Sequence, residues 1–155
     1  MTTSETLERV TGRLLPIDED GRVLLLHGCD PARRDQPFWF TIGGGVDEGE
    51  TTAQAAAREA FEETGLVVDA DLLGRPVWRA HARFSFDGRQ VSQVNEFYVV
   101  RVPRFEVSFA GLEELEQDCL DGHAWWSATE LRTTREPYVP VDLPDRLDLV
   151  SSAGR

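Results

Sequence analysis

A layered α+β sandwich, with a mixed sheet and one central carboxylate-bearing helix, is the fold class this sequence predicts. Three observations carry the prediction. Short apolar runs of strand length flank a single strongly helical segment, a glycine-rich stretch leads into that segment, and a second helix-start signal follows the last run. The 155 residues suit one domain spanning 1–155, with its core at about residues 8–150. No linker, repeat or low-complexity block divides them.

Val10 to Pro16 and Val23 to Leu26 read as strands joined through the turn Asp18-Glu19-Asp20-Gly21, a hairpin pattern. Phe38 to Ile42 reads as a third strand. Gly43 to Gly49 is too rich in glycine for a helix or a paired strand and reads as a loop. Ala53 to Glu63 is a run of strong helix formers, with a threonine before it as N-cap and Gly65 after it as a left-handed C-cap. Leu66 to Val68 begins a strand. Val77 to Phe86 and Val91 to Val102 flank Asp87-Gly88, a strong hairpin signal. His123 to Trp126 is the last strand, and Ser127-Ala128-Thr129-Glu130 has the capping-box form that opens a second helix. Pro137 to Pro144 reads as extended, Asp145 to Val150 as a short helix, and the small polar tail Ser151 to Arg155 as disordered.

The chemistry lies in the glycine stretch and the helix after it. Glu59, Glu62 and Glu63 stand at i, i+3 and i+4, so they share one helix face. Three clustered anions repel one another, and a hard divalent cation that takes oxygen ligands reverses that cost. Mg²⁺ or Mn²⁺ is the expected cofactor. Arg58, four residues before Glu62, is positioned to orient a carboxylate, while Ala56, Ala57, Ala60 and Phe61 offer apolar surface for docking the helix. A helix face of glutamates is also what a merely solvated surface looks like.

The whole pattern separates these readings. Gly44, Glu50, Arg58-Glu59, Glu62-Glu63 and Gly65-Leu66 recur in an order and spacing that resembles the signature of the Nudix hydrolases, over the 23 residues from Gly44 to Leu66. The resemblance implies an α/β/α sandwich and a metal-dependent hydrolase that cleaves a diphosphate linkage. It implies that Glu59, Glu62 and Glu63 carry the metal, aided by the Gly44 backbone. Glu62, Glu59 and Arg58 form the catalytic set, with Glu62 as ligand or base. Glu50 and Gly65 are structural, and Gly44 and Gly45 let the backbone approach metal or phosphates. Two departures are visible: Ala60 stands where a larger aliphatic residue is usual, and Ile42 replaces a frequent proline.

A further acidic ligand often comes from outside this segment in the family. Here Glu113, Glu114, Glu116 and Glu96 are available, with Glu116 favoured, whereas Ala124 occupies a position where some relatives carry a catalytic glutamate. Arg33 and Arg34, in the loop after the second strand, are candidate phosphate contacts, and Trp39 is a candidate stacking surface. The competing reading is a solvated loop for the arginines and a core position for the tryptophan. Marks of the ADP-ribose and dinucleoside polyphosphate subgroups are absent, since His81 and Ala82 stand at those distances, and the longer NADH-subgroup motif is also missing.

A net charge of −12 argues against a nucleic acid polymer as partner, because such a partner needs a basic face. A small diphosphate-containing molecule fits. Cys29 and Cys119 lack metal-ligand spacing and are expected as free thiols, and His27, His81 and His123 form no spaced cluster. No apolar stretch is long enough for a bilayer and no leader is expected, so the protein is read as cytoplasmic. A homodimer stays open. The resemblance favours hydrolysis of a nucleoside di- or triphosphate or derivative, including clearance of oxidised nucleotides. The alternatives are an ADP-ribose or nucleotide-sugar pyrophosphatase and, in another class, a nucleotide-binding module without catalysis.

Overall fold

The computed structural model describes residues 6–108 and 119–153. Its strands are β1 (Leu7–Ile17), β2 (Val23–Gly28), β3 (Phe38–Phe40), β4 (Ile42–Gly45), β5 (Trp78–Phe86), β6 (Arg89–Arg101) and β7 (Leu120–Trp126). The helices are α1 (Thr52–Thr64), α2 (Ala128–Thr133) and α3 (Leu143–Ala153), with a 3₁₀ turn at Ala70–Leu72.

All seven strands join one mixed sheet. The path runs β3-β2-β1-β6-β5, with β4 added to β1 and β7 added to β2. β1 pairs parallel with β6 along its whole length, from Leu7 opposite Val91 to Ile17 opposite Arg101. On its other side its middle, Thr11 to Leu14, pairs antiparallel with β4, and only its end meets β2. β1 is thus the spine of the sheet.

Side chains alternate across a strand, so β1 feeds two cores. Leu14 faces one cluster with Leu24, Leu26, Ile42 and Tyr98, closed by Ala56 and Ala60 of α1. Leu15 and Ile17 face the other, with Val23, Leu25, Trp78 and Phe97, closed by Leu131 of α2 and by Leu143 and Leu147 of α3. Helices on both faces make an α+β sandwich.

The predicted start signals are present. Thr51 caps α1, accepting from the Gln54 N–H at 3.1 Å while the Gln54 side chain accepts from the Thr51 N–H at 2.9 Å. Such a cap contributes about 1 kcal/mol. Gly65 closes the helix at φ 82°, in the left-handed region. Ser127 and Glu130 form the second capping box.

Several elements differ from the sequence reading. The third strand divides at Thr41, and Gly43 to Gly45 are not loop but the paired end of β4, with Gly44 opposite Gly12 of β1. The reason is close packing of α1. A Cβ on Gly12 would run into the Thr52 carbonyl, and one on Gly44 into the Glu59 carboxylate. Glycine is what lets the helix lie against this pair of strands. Leu66 to Val68 forms no strand; Leu66 and Val68 pack against the α1-side core instead. The extended stretch before α3 contains a bridge from Tyr138 to Trp39, and α3 begins at Leu143 and continues to Ala153, into the tail read as disordered. Glu113, Glu114 and Glu116 lie outside the described residues.

Candidate active site

α1 carries its glutamates to the side where β4 ends. Ala55, Ala56 and Ala60 are fully buried, so the helix is clamped on its apolar face and its charged residues are turned toward Gly43 to Gly45 and the loop after them. Glu63, at the end of that face, is itself buried and accepts from the Gly43 N–H at 2.8 Å.

Arg58 organises the rest. Its Nε donates to Glu50 Oε2 at 2.8 Å and its Nη2 to Glu50 Oε1 at 3.0 Å, a two-point grip. Nη2 also donates to the Gly45 carbonyl at 3.0 Å. Nη1 donates to Glu59 at 3.1 Å and lies 3.4 and 3.5 Å from the two oxygens of Glu62. One guanidinium therefore ties the loop, the strand end and two helix carboxylates together. Glu50 further accepts from the Asp47 N–H at 3.0 Å, which fixes the loop.

The charges follow from these bonds. The hydrogen bond from Arg58 holds the Glu50 carboxyl below its ordinary value, against the opposing effect of burial. Arg58 is held above its ordinary value, first by Glu50 and also by Glu59, again against burial. Both stay ionised at neutral pH.

The motif residues Glu50, Arg58, Glu59, Glu62, Glu63, Gly44, Gly45 and Gly65 thus stand around one helix and one strand end. The other candidates stand elsewhere. Arg33 and Arg34 are exposed in the β2–β3 loop, where the Arg33 N–H bonds the Asp30 carbonyl and Arg34 lies near Cys29. Trp39 packs between His27 and Trp126, with ring centroids 4.6 and 5.2 Å away, against the core beneath α2 and α3. Glu96 accepts from the Thr52 hydroxyl at 2.8 Å, at the opposite end of α1 from Glu63.

Arg13 was not singled out by its sequence context. It sits on β1 directly opposite Gly43, donates to the Thr41 carbonyl at 3.2 Å and feels the charges of Glu63 and Glu59. Desolvation lowers its guanidinium value, and Arg9 adds to that, while the two glutamates raise it. An arginine inside the strand run Val10 to Pro16, next to its apolar end, was the available signal.

Among the described residues, no three Asp, Glu, His or Cys converge on a common metal position as they stand. The donor set nevertheless fits a hard cation. It consists of carboxylate oxygens, Glu62 reaches Arg58 only at 3.4 Å or more, and the Glu59 carboxylate fills the cradle a Cβ on Gly44 would take. Glu59, Glu62, Glu63 and the Gly44 backbone could hold the ion.

A NUDIX domain model matches residues 7–144. The chain is 49% identical over 53 residues to the dihydroneopterin triphosphate diphosphatase of Escherichia coli K12, covering 34% of this chain and 32% of that protein. It is 31% identical over 109 residues to the oxidized purine nucleoside triphosphate hydrolase of Danio rerio, covering 70% and 64%. The match therefore spans about a third of the length of the first relative and just under two thirds of the second. Among solved structures, the MutT protein from Methanosarcina mazei Go1 superimposes with a TM-score of 0.66 at 19% identity, over 99% of both chains. The E. coli dihydroneopterin triphosphate pyrophosphohydrolase does so with 0.64 at 20%, over 94% and 97%. With its matched domain, its sheet flanked by helices and its carboxylate helix, the chain belongs to the Nudix family.

Proposed function

We propose that this protein is a divalent-metal-dependent hydrolase that cleaves a diphosphate linkage in a nucleoside triphosphate or a close relative, including oxidised or ring-modified forms. The observation that carries the reading is the convergence of Glu59 and Glu62 on Arg58 beside the Gly44 cradle. The relatives' names support the substrate class, since both refer to hydrolysis of triphosphates.

Mg²⁺ or Mn²⁺, held by Glu59, Glu62, Glu63 and the Gly44 backbone, would supply charge neutralisation at the phosphate oxygens. The chain's own residues supply the rest. Glu62 is the most exposed of the three helix glutamates and is the candidate to take a proton from the attacking water. Arg58, anchored on Glu50, keeps Glu59 and Glu62 on the same side of the helix. Glu63, bonded to the Gly43 N–H, fixes the end of β4 against α1. Arg13, opposite Gly43, adds positive charge near the phosphates.

The test is product analysis by chromatography, with Mg²⁺ or Mn²⁺ and with EDTA, across nucleoside triphosphates, 8-oxo-dGTP, dihydroneopterin triphosphate and ADP-ribose. Metal-dependent release of a monophosphate and diphosphate from the triphosphates supports the reading. AMP and ribose phosphate from ADP-ribose alone would replace it with the nucleotide-sugar alternative, and tight binding without turnover would favour a binding module.

A further inference from the structure

The sheet face opposite α1 carries a polar patch of which the reaction above uses only the edge at Arg13 and Gly43. Across it, Trp78, Phe97, Arg13 and Gly43 form one row of paired residues. The core beneath α2 and α3 reaches Trp78 and Phe97. The next rows are Ala80, Asn95, Thr11 and Gly45, and then Ala82, Gln93 and Arg9. Strand interiors on a covered face are expected to be apolar. Here Thr11 is fully buried, Gln93 is 4% exposed, and Gln93 Oε1 has no hydrogen-bond partner among the described residues.

Hydrogen bonds link these side chains in series. Arg13 can only donate, and its Nε donates to Thr11 Oγ1 at 3.2 Å. Thr11 then gives its own proton to Asn95 Oδ1 at 2.5 Å, and Gln93 Nε2 donates to the same oxygen at 2.6 Å. With Asn95 Oδ1 accepting from both, Asn95 Nδ2 is left as a donor. Gln93, with its nitrogen committed, presents Oε1 as a bare acceptor. A buried carbonyl left unpaired is destabilising, so such a group in a native protein calls for a partner.

We propose that Gln93 and Asn95 read the ring of the substrate, with Thr11 and Arg13 as the residues that hold their amides in register. The inference rests on the functional reading above and deepens it. Gln93 Oε1 has two lone pairs and accepts from two adjacent donors, a ring N–H and an exocyclic amino group; Asn95 Nδ2 donates to a neighbouring ring carbonyl. A 2-amino-oxo pyrimidine ring, alone or fused, has that edge. Ala80 and Ala82, opposite Asn95 and Gln93, add only small side chains to that face, the Arg9 guanidinium lies beside Gly45, and the exposed ring of Phe84 stands one row further on. Asn95 lies two strands from Gly45, about 10 Å away at ordinary strand spacing, which suits a nucleotide with its ring on the patch and its phosphates at Gly43 to Gly45.

The experiment compares GTP with ITP, which lacks only the exocyclic amino group, on the wild-type protein and on Q93L. Wild type should favour GTP in kcat/KM by about 10-fold or more, the expected effect of one buried hydrogen bond. Q93L should bring the ratio close to one, chiefly by lowering the value for GTP. T11V should reduce the ratio as well, and T11S should restore it, whereas a merely structural role would lower kcat/KM for both nucleotides alike and leave the ratio unchanged. Thermal melts confirm that each variant is folded. Equal kcat/KM for GTP and ITP in the wild type, or an unchanged ratio in folded Q93L, overturns the inference while leaving the hydrolase reading standing. Absence of any triphosphate turnover overturns the hydrolase reading instead, and calorimetric binding of the same two nucleotides then decides the ring-recognition role.

Discussion

Arg58 and Glu50 form a two-point ion pair, at 2.8 and 3.0 Å, and the same guanidinium reaches Gly45, Glu59 and Glu62. This pair joins the loop after β4 to the carboxylate face of α1. Replacing Arg58 with alanine leaves Glu50, whose side chain is 14% exposed, without its partner. The expected loss is about 2–3 kcal/mol in stability, since a charged group is stranded, together with a large loss of turnover. Denaturant melts and steady-state kinetics on R58A check both, and an active variant of wild-type stability would contradict the role.

Gly12 and Gly44 face each other across β1 and β4, but an added methyl should act differently at each. At Gly12 it meets backbone atoms of Thr52 and Ala56, which cannot move without displacing α1. G12A should cost about 3 kcal/mol, at the upper end of overpacking effects. At Gly44 the nearest atoms it meets belong to the Glu59 side chain, so G44A should fold well yet lose activity at least about 10-fold as that carboxylate is displaced. Paired thermal melts and rate measurements separate the two outcomes.

Much of the site is legible in the sequence because it is local. The shared face of Glu59, Glu62 and Glu63 follows from helical spacing, and the start and stop of α1 follow from Thr51 and Gly65. What the sequence does not expose depends on distant pairing. The glycines of β4 look like loop until Gly12, more than thirty residues earlier, is known to lie opposite them under α1. Thr11 and Asn95 meet only because β1 and β6 run parallel, 84 residues apart in the chain. Trp39 shows the converse: an aromatic residue on a strand suits both a stacking surface and a core, and its neighbours His27 and Trp126 belong to the packing of the sheet.

Acid should destabilise the protein through two carboxylates. The Glu50 carboxyl is lowered by Arg58; at Asp18, burial pushes up but the Arg22 backbone N–H and the Arg104 guanidinium outweigh it. A carboxyl lowered in the folded state adds stability that is fully present above its unfolded value, about 4 for these groups, and is lost as pH falls through the folded value. Stability should therefore decline below about pH 4, and E50Q should show a shallower decline. Denaturant midpoints measured from pH 7 to pH 3 test this, and parallel profiles for both proteins would argue against it.

The measurement that bears most directly on the central claim is turnover of the best triphosphate substrate by wild type and by E62Q, each with Mg²⁺ and with EDTA, alongside a melt of each protein. The account predicts diphosphate release by wild type with Mg²⁺, none in EDTA, and a fall of about 10²-fold or more in E62Q with the melting temperature little changed. Turnover that persists in EDTA, or a folded E62Q that matches wild type, would contradict it.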